Sequence, residues 1–295
     1  MNVSDVGMPY IDVVLKLLDQ GDPDVTKVFG RHVHWGYWEN PRDSNGSLED
    51  FALASERMCE MIFSAINPKE SDQILDVGCG FGGTISSLNE RYAGISLTGV
   101  NIDVRQIERA RMQVAPMNQN NITFTQGDAS QLPIKDSSID IVMAIECIFH
   151  FPSRARFFDE ACRVLRPGGL LFVSDLVPTQ ILAKSKKLVL PWLRPMLSQT
   201  FGSMDNECTF ADYDLLASSR GMAKEFSRDV TRNIMPTHGI LRELMERKEP
   251  QVYSLQKGQN ITVEWLCGTG LLRYAFMGWR LDNQKQDVTF TVNTQ

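Results

Sequence analysis

The run Ile74-Leu75-Asp76-Val77-Gly78-Cys79-Gly80-Phe81-Gly82-Gly83 constrains this chain more than any other feature. A short, mostly apolar stretch passes straight into a glycine cluster, and a helix-compatible segment follows. That is the pattern of a buried strand turning sharply into a helix, with a ligand lying against bare backbone. Gly78, Gly80 and Gly83 spell G-x-G-x-x-G, so a dinucleotide-binding loop is the first candidate. Asp76 argues against it. A carboxylate two residues before the first glycine stands near the bed a pyrophosphate would need, where like charges cost affinity. A cationic amino-acid group would welcome it. The residues therefore favour a nucleoside carrying an α-amino acid over a dinucleotide.

A chain of 295 residues can hold one large α/β domain with insertions or two small domains. No apolar run approaches the roughly 18–20 residues needed to span a membrane. Met1 to Gly7 shows no basic stretch followed by an apolar one, so no secretory signal is expected. Cys59, Cys79, Cys147, Cys162, Cys208 and Cys267 include no C-x-x-C pairing. Scattered in this way they predict reduced thiols in a cytoplasmic protein, with no disulfide framework, no zinc site and no bound metal. A net charge of −6 argues against a nucleic-acid partner. The small basic cluster at Lys184, Lys186 and Lys187 reads as a solvated helix face. A homo-oligomer is compatible with all of this, and nothing in the sequence decides it.

The first 70 residues read as a helical and lid segment. Ile11 to Leu18 has helical apolar spacing and stops near Gly21 and Pro23, and Ser47-Leu48-Glu49-Asp50 fits a capping box opening a helix to about Ile66. Between them, His34-Trp35-Gly36-Tyr37-Trp38 could be a core plug or a lid over a ligand. Residues 71–178 alternate strands with helices. The expected strands are Gln73–Val77, Ser96–Asn101, Ile122–Gln126, Ile139–Ile145 and Gly169–Asp175, with helices over Val104–Met117 and Arg154–Leu165. This implies β-α-β units and a mostly parallel sheet covered on both faces. Residues 179–208, apolar but interrupted by prolines, read as an inserted cap. Residues 209–295 complete the sheet, with a helix near Ala211–Ser219 and strands near Lys224–Thr231 and Gly270–Leu281.

Ligands of open α/β sheets bind beyond the carboxyl ends of the strands. Polar residues fall there after successive strands: Gly78–Gly83, then Asn101 and Asp103, then Gly127-Asp128-Ala129, then Glu146 and His150, then Asp175. With these on the page, the chain resembles the class I S-adenosylmethionine-dependent methyltransferases. The likeness is carried by Leu75 to Gly82, Gly99-Val100-Asn101-Ile102-Asp103, Gln126 to Pro133 and Leu165-Arg166-Pro167-Gly168-Gly169. It implies an α/β fold, Rossmann-like and doubly wound, with a mostly parallel seven-stranded sheet, and S-adenosyl-L-methionine as cofactor. The cofactor site so implied comprises Tyr37, Asp76, Gly78, Gly80, Gly82, Asn101, Ile102, Gln106, Asp128, Ala129 and Glu146. Asp76 would help hold the amino group, and Asp128 would read the adenine. Asn101 stands where the family usually has Asp or Glu for the ribose; either Asn101 or Asp103 could serve. Gly36-Tyr37-Trp38 and Glu146 to His150 resemble elements of the natural-product and lipid members.

For a hydroxyl acceptor a base is needed, and a histidine side chain is the natural one near neutral pH. His150 is the candidate base, with Asp175 orienting it or touching the acceptor and Glu146 as a further positioning group. Tyr37 is chosen as the cofactor contact from the aromatic element. His32 and His34 are expected at the surface or as loop anchors. His238, in an expected turn Pro236-Thr237-His238-Gly239, is given no role. The function expected is O-methylation of a small, partly hydrophobic metabolite. The alternatives are N- or C-methylation of an alkaloid, terpenoid or lipid, and more distantly a nucleotide-binding module or NAD-dependent oxidoreductase on the same fold.

Overall fold

The computed structural model describes residues 8–189 and 208–283. Its centre is a seven-stranded sheet of order β3-β2-β1-β4-β5-β7-β6. The strands are β1 (Gln73–Val77), β2 (Ser96–Asn101), β3 (Asn121–Gln126), β4 (Ile139–Ile145), β5 (Leu165–Pro178), β6 (Met222–Asp229) and β7 (Leu272–Leu281). Strands β1 to β5 pair in parallel, and β7 runs antiparallel between β5 and β6. The Rossmann-like, doubly wound fold expected from the sequence is the one observed.

Side chains alternate across a strand, so each strand feeds two cores. Ile74, Leu97, Met143 and Phe172 join one cluster, together with Met58, Ile62 and Phe63 of α3 (Leu48–Ile66), Ile85 and Leu88 of α4 (Gly83–Arg91), and Ile107 of α5 (Val104–Gln113). Leu75, Val77, Val142, Ala144 and Val173 join the other, with Phe157, Phe158 and Ala161 of α6 (Arg154–Val164). A third cluster ties α1 (Pro9–Asp19) and α2 (Pro23–Phe29) to Trp38, Phe51 and Phe81.

Helix α3 shows how local sequence sets position. Its buried residues Phe51, Ala54, Ser55, Met58, Cys59, Ile62, Phe63 and Ile66 recur at three- and four-residue steps, one stripe of a helix. The Ser47 hydroxyl caps it by accepting from the Asp50 N–H at 3.1 Å, and Asn67 ends it in the left-handed region at φ 48°. The expected capping box is only half closed. The Asp50 carboxylate turns away to accept from the Trp38 indole N–H at 2.9 Å and the Asn45 N–H at 3.2 Å.

Beyond β5, α7 (Gln180–Val189) opens the expected cap, and residues 190–207 lie outside the described residues. Helix α8 (Phe210–Ser218) then leads into β6. Between β6 and β7 the chain forms α9 (Thr231–Ile234), α10 (Pro236–Lys248) and α11 (Pro250–Gly268), which the sequence pattern did not suggest. Pro236 begins α10 at its first turn, where its missing N–H costs nothing, so the expected turn around His238 is the start of a helix. Among the described residues, no helix is long and apolar enough to cross a membrane.

The Trp38–Asp50 bond joins the aromatic segment to the start of α3. Trp38→Phe keeps the ring and deletes the donor, which should cost about 1–2 kcal/mol in urea unfolding. An unchanged midpoint and slope would mean that the bond does not hold the segment.

Candidate active site

A cavity of about 1120 Å³, mouth included, opens at the carboxyl ends of β1, β2, β3 and β4. It straddles β1 and β4, where the strand order reverses and two βα turns part to leave a crevice. The floor comes from the glycine loop, and the side walls from the ends of β2, β3 and β4. Met8, Tyr10 and Ile11 and the segment Arg31 to His34 close it from the N-terminal side.

Gly78 and Gly80 both line the cavity, at φ +79° and +54°, a region that side chains rarely adopt. Their bareness serves the protein's own packing. A Cβ on Gly78 would lie 2.7 Å from Cys147 Sγ, and one on Gly80 would lie 2.7 Å from Val33 Cγ2. The loop can thus seat itself against β4 and against the N-terminal segment at once. Gly82 corrects the expectation. It is not part of the lining, and its missing Cβ would sit 2.9 Å from the Phe124 ring of β3 and 3.1 Å from Ala110 of α5, so its bareness serves the packing of the loop against those elements.

Asp76 is only 2% exposed, and its Oδ1 has no hydrogen-bond partner. Burial pushes its carboxyl up to about 7. A buried carboxylate with an unpartnered oxygen, lining a cavity, is suited to a cationic ligand group. Asn101, Ile102 and Gln106 line the same space; the Asn101 amide donates to Gln106 Oε1 at 3.4 Å, and its Oδ1 accepts from the Asp103 N–H at 3.0 Å. Asp103, the other candidate, is engaged elsewhere. It caps α5 and receives the Arg105 guanidinium at 2.7 Å; burial opposes its ionisation, but these bonds prevail and hold its carboxyl below the ordinary range. Asp128 and Ala129 complete that wall, with Asp128 accepting from the Ser130 N–H at 2.7 Å.

After β4, Glu146 sits in the left-handed region at φ 50°, uncommon for a side chain with a Cβ. Its N–H donates to the Ser174 carbonyl at 3.2 Å and to the Ser174 hydroxyl at 3.1 Å. Its Oε1 accepts from the Trp35 N–H at 2.8 Å and the Tyr274 hydroxyl at 2.5 Å. Burial outweighs both donors and raises its carboxyl to about 7. His150, on the short turn Ile148–His150, faces Tyr10: Nε2 lies 3.4 Å from the phenol oxygen, and the rings stack with centroids 6.0 Å apart. Burial pushes the Tyr10 phenol far up, so it stays protonated. Tyr10 and the Arg31–His34 run were missed in the sequence; nothing in a short N-terminal helix signals that it returns to the sheet.

Asp175 and Tyr37 are corrections too. Strand β5 does not end at Asp175 but runs on to Pro178, and the alternation turns Asp175 to the face of Val173 and Val177, outside the cavity lining. There it accepts from the Tyr213 hydroxyl at 2.5 Å and pairs with Arg154 at 3.2 Å. The Tyr37 N–H donates to the Ala54 carbonyl at 2.8 Å, which docks the segment on α3, and its ring joins the core cluster instead of the cavity. His32 and His34, expected at the surface or as loop anchors, are 5% and 6% exposed and line the cavity. Burial, with His32 beside it, drops the His34 imidazole to about 3, leaving it neutral.

Comparison with known proteins agrees with this geometry. Residues 75–173 match the family described as "Methyltransferase domain". The chain is 36% identical over 160 residues to methyltransferase GfsG of Streptomyces halstedii, spanning 56% of that protein's length. It is 31% identical over 169 residues to an O-methyltransferase of Aspergillus nomiae, covering 57% of this chain and 73% of that one. In fold it is similar to the geranyl diphosphate C-methyltransferase of Streptomyces coelicolor solved with magnesium, geranyl diphosphate and S-adenosyl-L-homocysteine. That likeness has a TM-score of 0.68 at 13% identity, over 92% of this chain and 97% of the other.

The Asp175 contacts generate a test. Asp175→Ala would remove a buried carboxylate that the Arg154 guanidinium and the Tyr213 hydroxyl both engage, and urea unfolding should register a loss of about 3–5 kcal/mol. A variant of full stability would return Asp175 to the list of groups kept for chemistry.

Proposed function

This chain belongs to the class I S-adenosylmethionine-dependent methyltransferases, and from that premise we propose that it methylates a hydroxyl of a small, partly hydrophobic metabolite, with His150 as general base. The observation that carries the reading is Asp76: a buried carboxylate with one unanswered oxygen on the floor of the cavity. The residues present fit the cofactor. Asp76 would take its α-amino group, Asn101 with Gln106 the ribose hydroxyls, and Asp128 the adenine amino group, with Ile102 and Ala129 as apolar walls. S-Adenosylmethionine supplies a methyl group activated on a sulfonium.

The rest is done by the chain. Glu146 fixes the Trp35 backbone and so holds the N-terminal segment against the cavity. Met8, Ile11, Phe151 and Pro152 give that side an apolar lining, which supports a partly hydrophobic acceptor and excludes water. His150 Nε2, which the Tyr10 hydroxyl faces, would accept the proton of the acceptor hydroxyl when that hydroxyl takes the place of the Tyr10 O–H, with the ring held in orientation by its stack on Tyr10. An oxygen acceptor is further supported by the Aspergillus relative, which is named an O-methyltransferase.

Calorimetric titration with S-adenosylhomocysteine, with NADH in parallel, tests the cofactor. Binding of the first and not the second is expected; binding of NADH alone would end the proposal. Only ionised Asp76 can pair with an ammonium, and its carboxyl lies near pH 7 in the empty protein. Affinity should therefore hold above about pH 7 and weaken by up to about tenfold per pH unit below it. Asp76→Asn should weaken binding about 30-fold or more at pH 7.5, on the order of 2 kcal/mol or above, and flatten most of that slope. His150→Ala should lower kcat about 10²–10⁴-fold on an accepted alcohol while leaving S-adenosylhomocysteine affinity intact. Full turnover in that variant would remove His150 from the mechanism.

A further inference from the structure

We infer that His32, His34 and Cys59 form a binding site for a thiophilic divalent transition metal, zinc foremost, that clasps the segment Arg31–Trp38 to α3. The three side chains come from two elements and are all buried, and their ligating atoms lie within 4.8 Å of one another. Cys59 Sγ is 3.4 Å from His34 Nε2 and 3.8 Å from His32 Nδ1. Around a tetrahedral zinc with Zn–S near 2.3 Å and Zn–N near 2.0–2.1 Å, sulfur and nitrogen stand about 3.6 Å apart. The two sulfur–nitrogen spacings bracket that value.

The hydrogen bonds on the far sides of the rings decide what faces inward. His34 Nδ1 lies 3.0 Å from the Trp35 carbonyl, which can only accept, so Nδ1 carries the proton and Nε2 presents a bare lone pair. His32 Nε2 lies 2.8 Å from the Glu56 carboxylate, which likewise makes Nε2 the donor and, in the neutral ring, leaves Nδ1 bare. Two lone pairs therefore converge on one thiol, whose single proton can serve only one of them. One cation satisfies all three. A carboxylate or backbone carbonyl behind each ligating imidazole is the outer shell that metal sites use to fix tautomer and orientation.

The supports are themselves held. Glu56 also takes the Ser87 hydroxyl at 3.0 Å, Arg91 at 3.1 Å and Arg31 at 2.9 Å, while Arg31 pairs onward with Glu90 and Arg91 with Glu60. Gly83 leaves room on the other side: a Cβ there would lie 2.6 Å from His32 Nδ1. Among the described residues no fourth His, Cys, Asp or Glu joins the group, so a water would complete the tetrahedron. Binding exchanges the Cys59 S–H proton, released to solvent, for a sulfur–metal bond; no redox step is involved. The ligands are split between a loop and a helix, so no short cysteine motif marks them.

The test is cobalt titration of the full-length protein after stripping with a chelator and dialysis. One equivalent per chain should give a thiolate-to-cobalt charge-transfer band in the near ultraviolet with the visible bands of four-coordinate cobalt, all bleached by zinc. Cys59→Ala should lose the charge-transfer band. Glu56→Gln, which keeps all three ligands, should bind cobalt about 10–100-fold more weakly. Zinc should raise the Tm of the wild type and not of Cys59→Ala. A wild type that keeps its native circular dichroism yet shows no band, or a band undiminished in Cys59→Ala, would overturn the site. If Cys59→Ala does not fold, Glu56→Gln decides, and unweakened cobalt binding there counts against it.

Discussion

A carboxylate shut into the interior with one oxygen unanswered is unfavourable to a folded chain, and this fold is arranged around one. Asp76 sits on the interior strand β1, between β2 and β4, at 2% exposure. Leucine or valine would be the stable choice at such a position, since burying an uncompensated carboxyl costs several kcal/mol. Its retention makes sense only if something outside the chain completes it. The glycine loop, the parting of β1 from β4 and the N-terminal closure all serve to keep that oxygen reachable by a ligand and away from bulk water.

The N-terminal segment is the less obvious half of the arrangement. Successive backbone groups from Trp35 to Trp38 are spoken for by four different parts of the molecule: Glu146 after β4, Thr237 in α10, Ala54 in α3 and Asn233 in α9. A strap pinned at such spacing has little freedom to swing open as a whole. Helix α1, with Met8, Tyr10 and Ile11 in the cavity lining, closes the same side and is itself held through buried Ile11, Val14, Leu15, Leu17 and Leu18. The contact of Tyr10 with His150 lies on that boundary, where a closing element meets the group proposed to take a proton.

Much of this was legible in the sequence. The strands β1 to β4 follow from apolar runs bounded by turn residues, and α3 from its cap and stripe, because local periodicity decides those elements. The cavity wall was legible because Asp76, Asn101 and Asp128 lie at or just past the carboxyl ends of successive strands, and all three line it. What was not legible depends on tertiary facts. Asp175 looked like a strand-end group because the antiparallel partner β7, which draws β5 on to Pro178, is far away in sequence. Helices α10 and α11 carry polar residues and Gly258 through their spans, so their stripe is weak, and packing overrides it. The burial of His32 and His34 was not legible because nothing local announces that Cys59, within the following helix α3, will face both.

The same burial that readies the site limits the unliganded fold. Asp76 and Glu146 both hold their carboxyls near 7, against about 4 in an unfolded chain. A folded-state pKa raised above the unfolded one contributes stability that is complete below about pH 4 and is progressively lost as pH rises through about 7, because the unfolded chain has shed protons that the folded chain retains. The empty protein is thus least favoured, as far as these two groups go, at the pH where the proposed ligand binds best. An ammonium meeting ionised Asp76 reverses that contribution. At Asp76 the proposed binding and folding would be linked through the one proton of that carboxyl, with the cost of its burial offset by the ligand's ammonium.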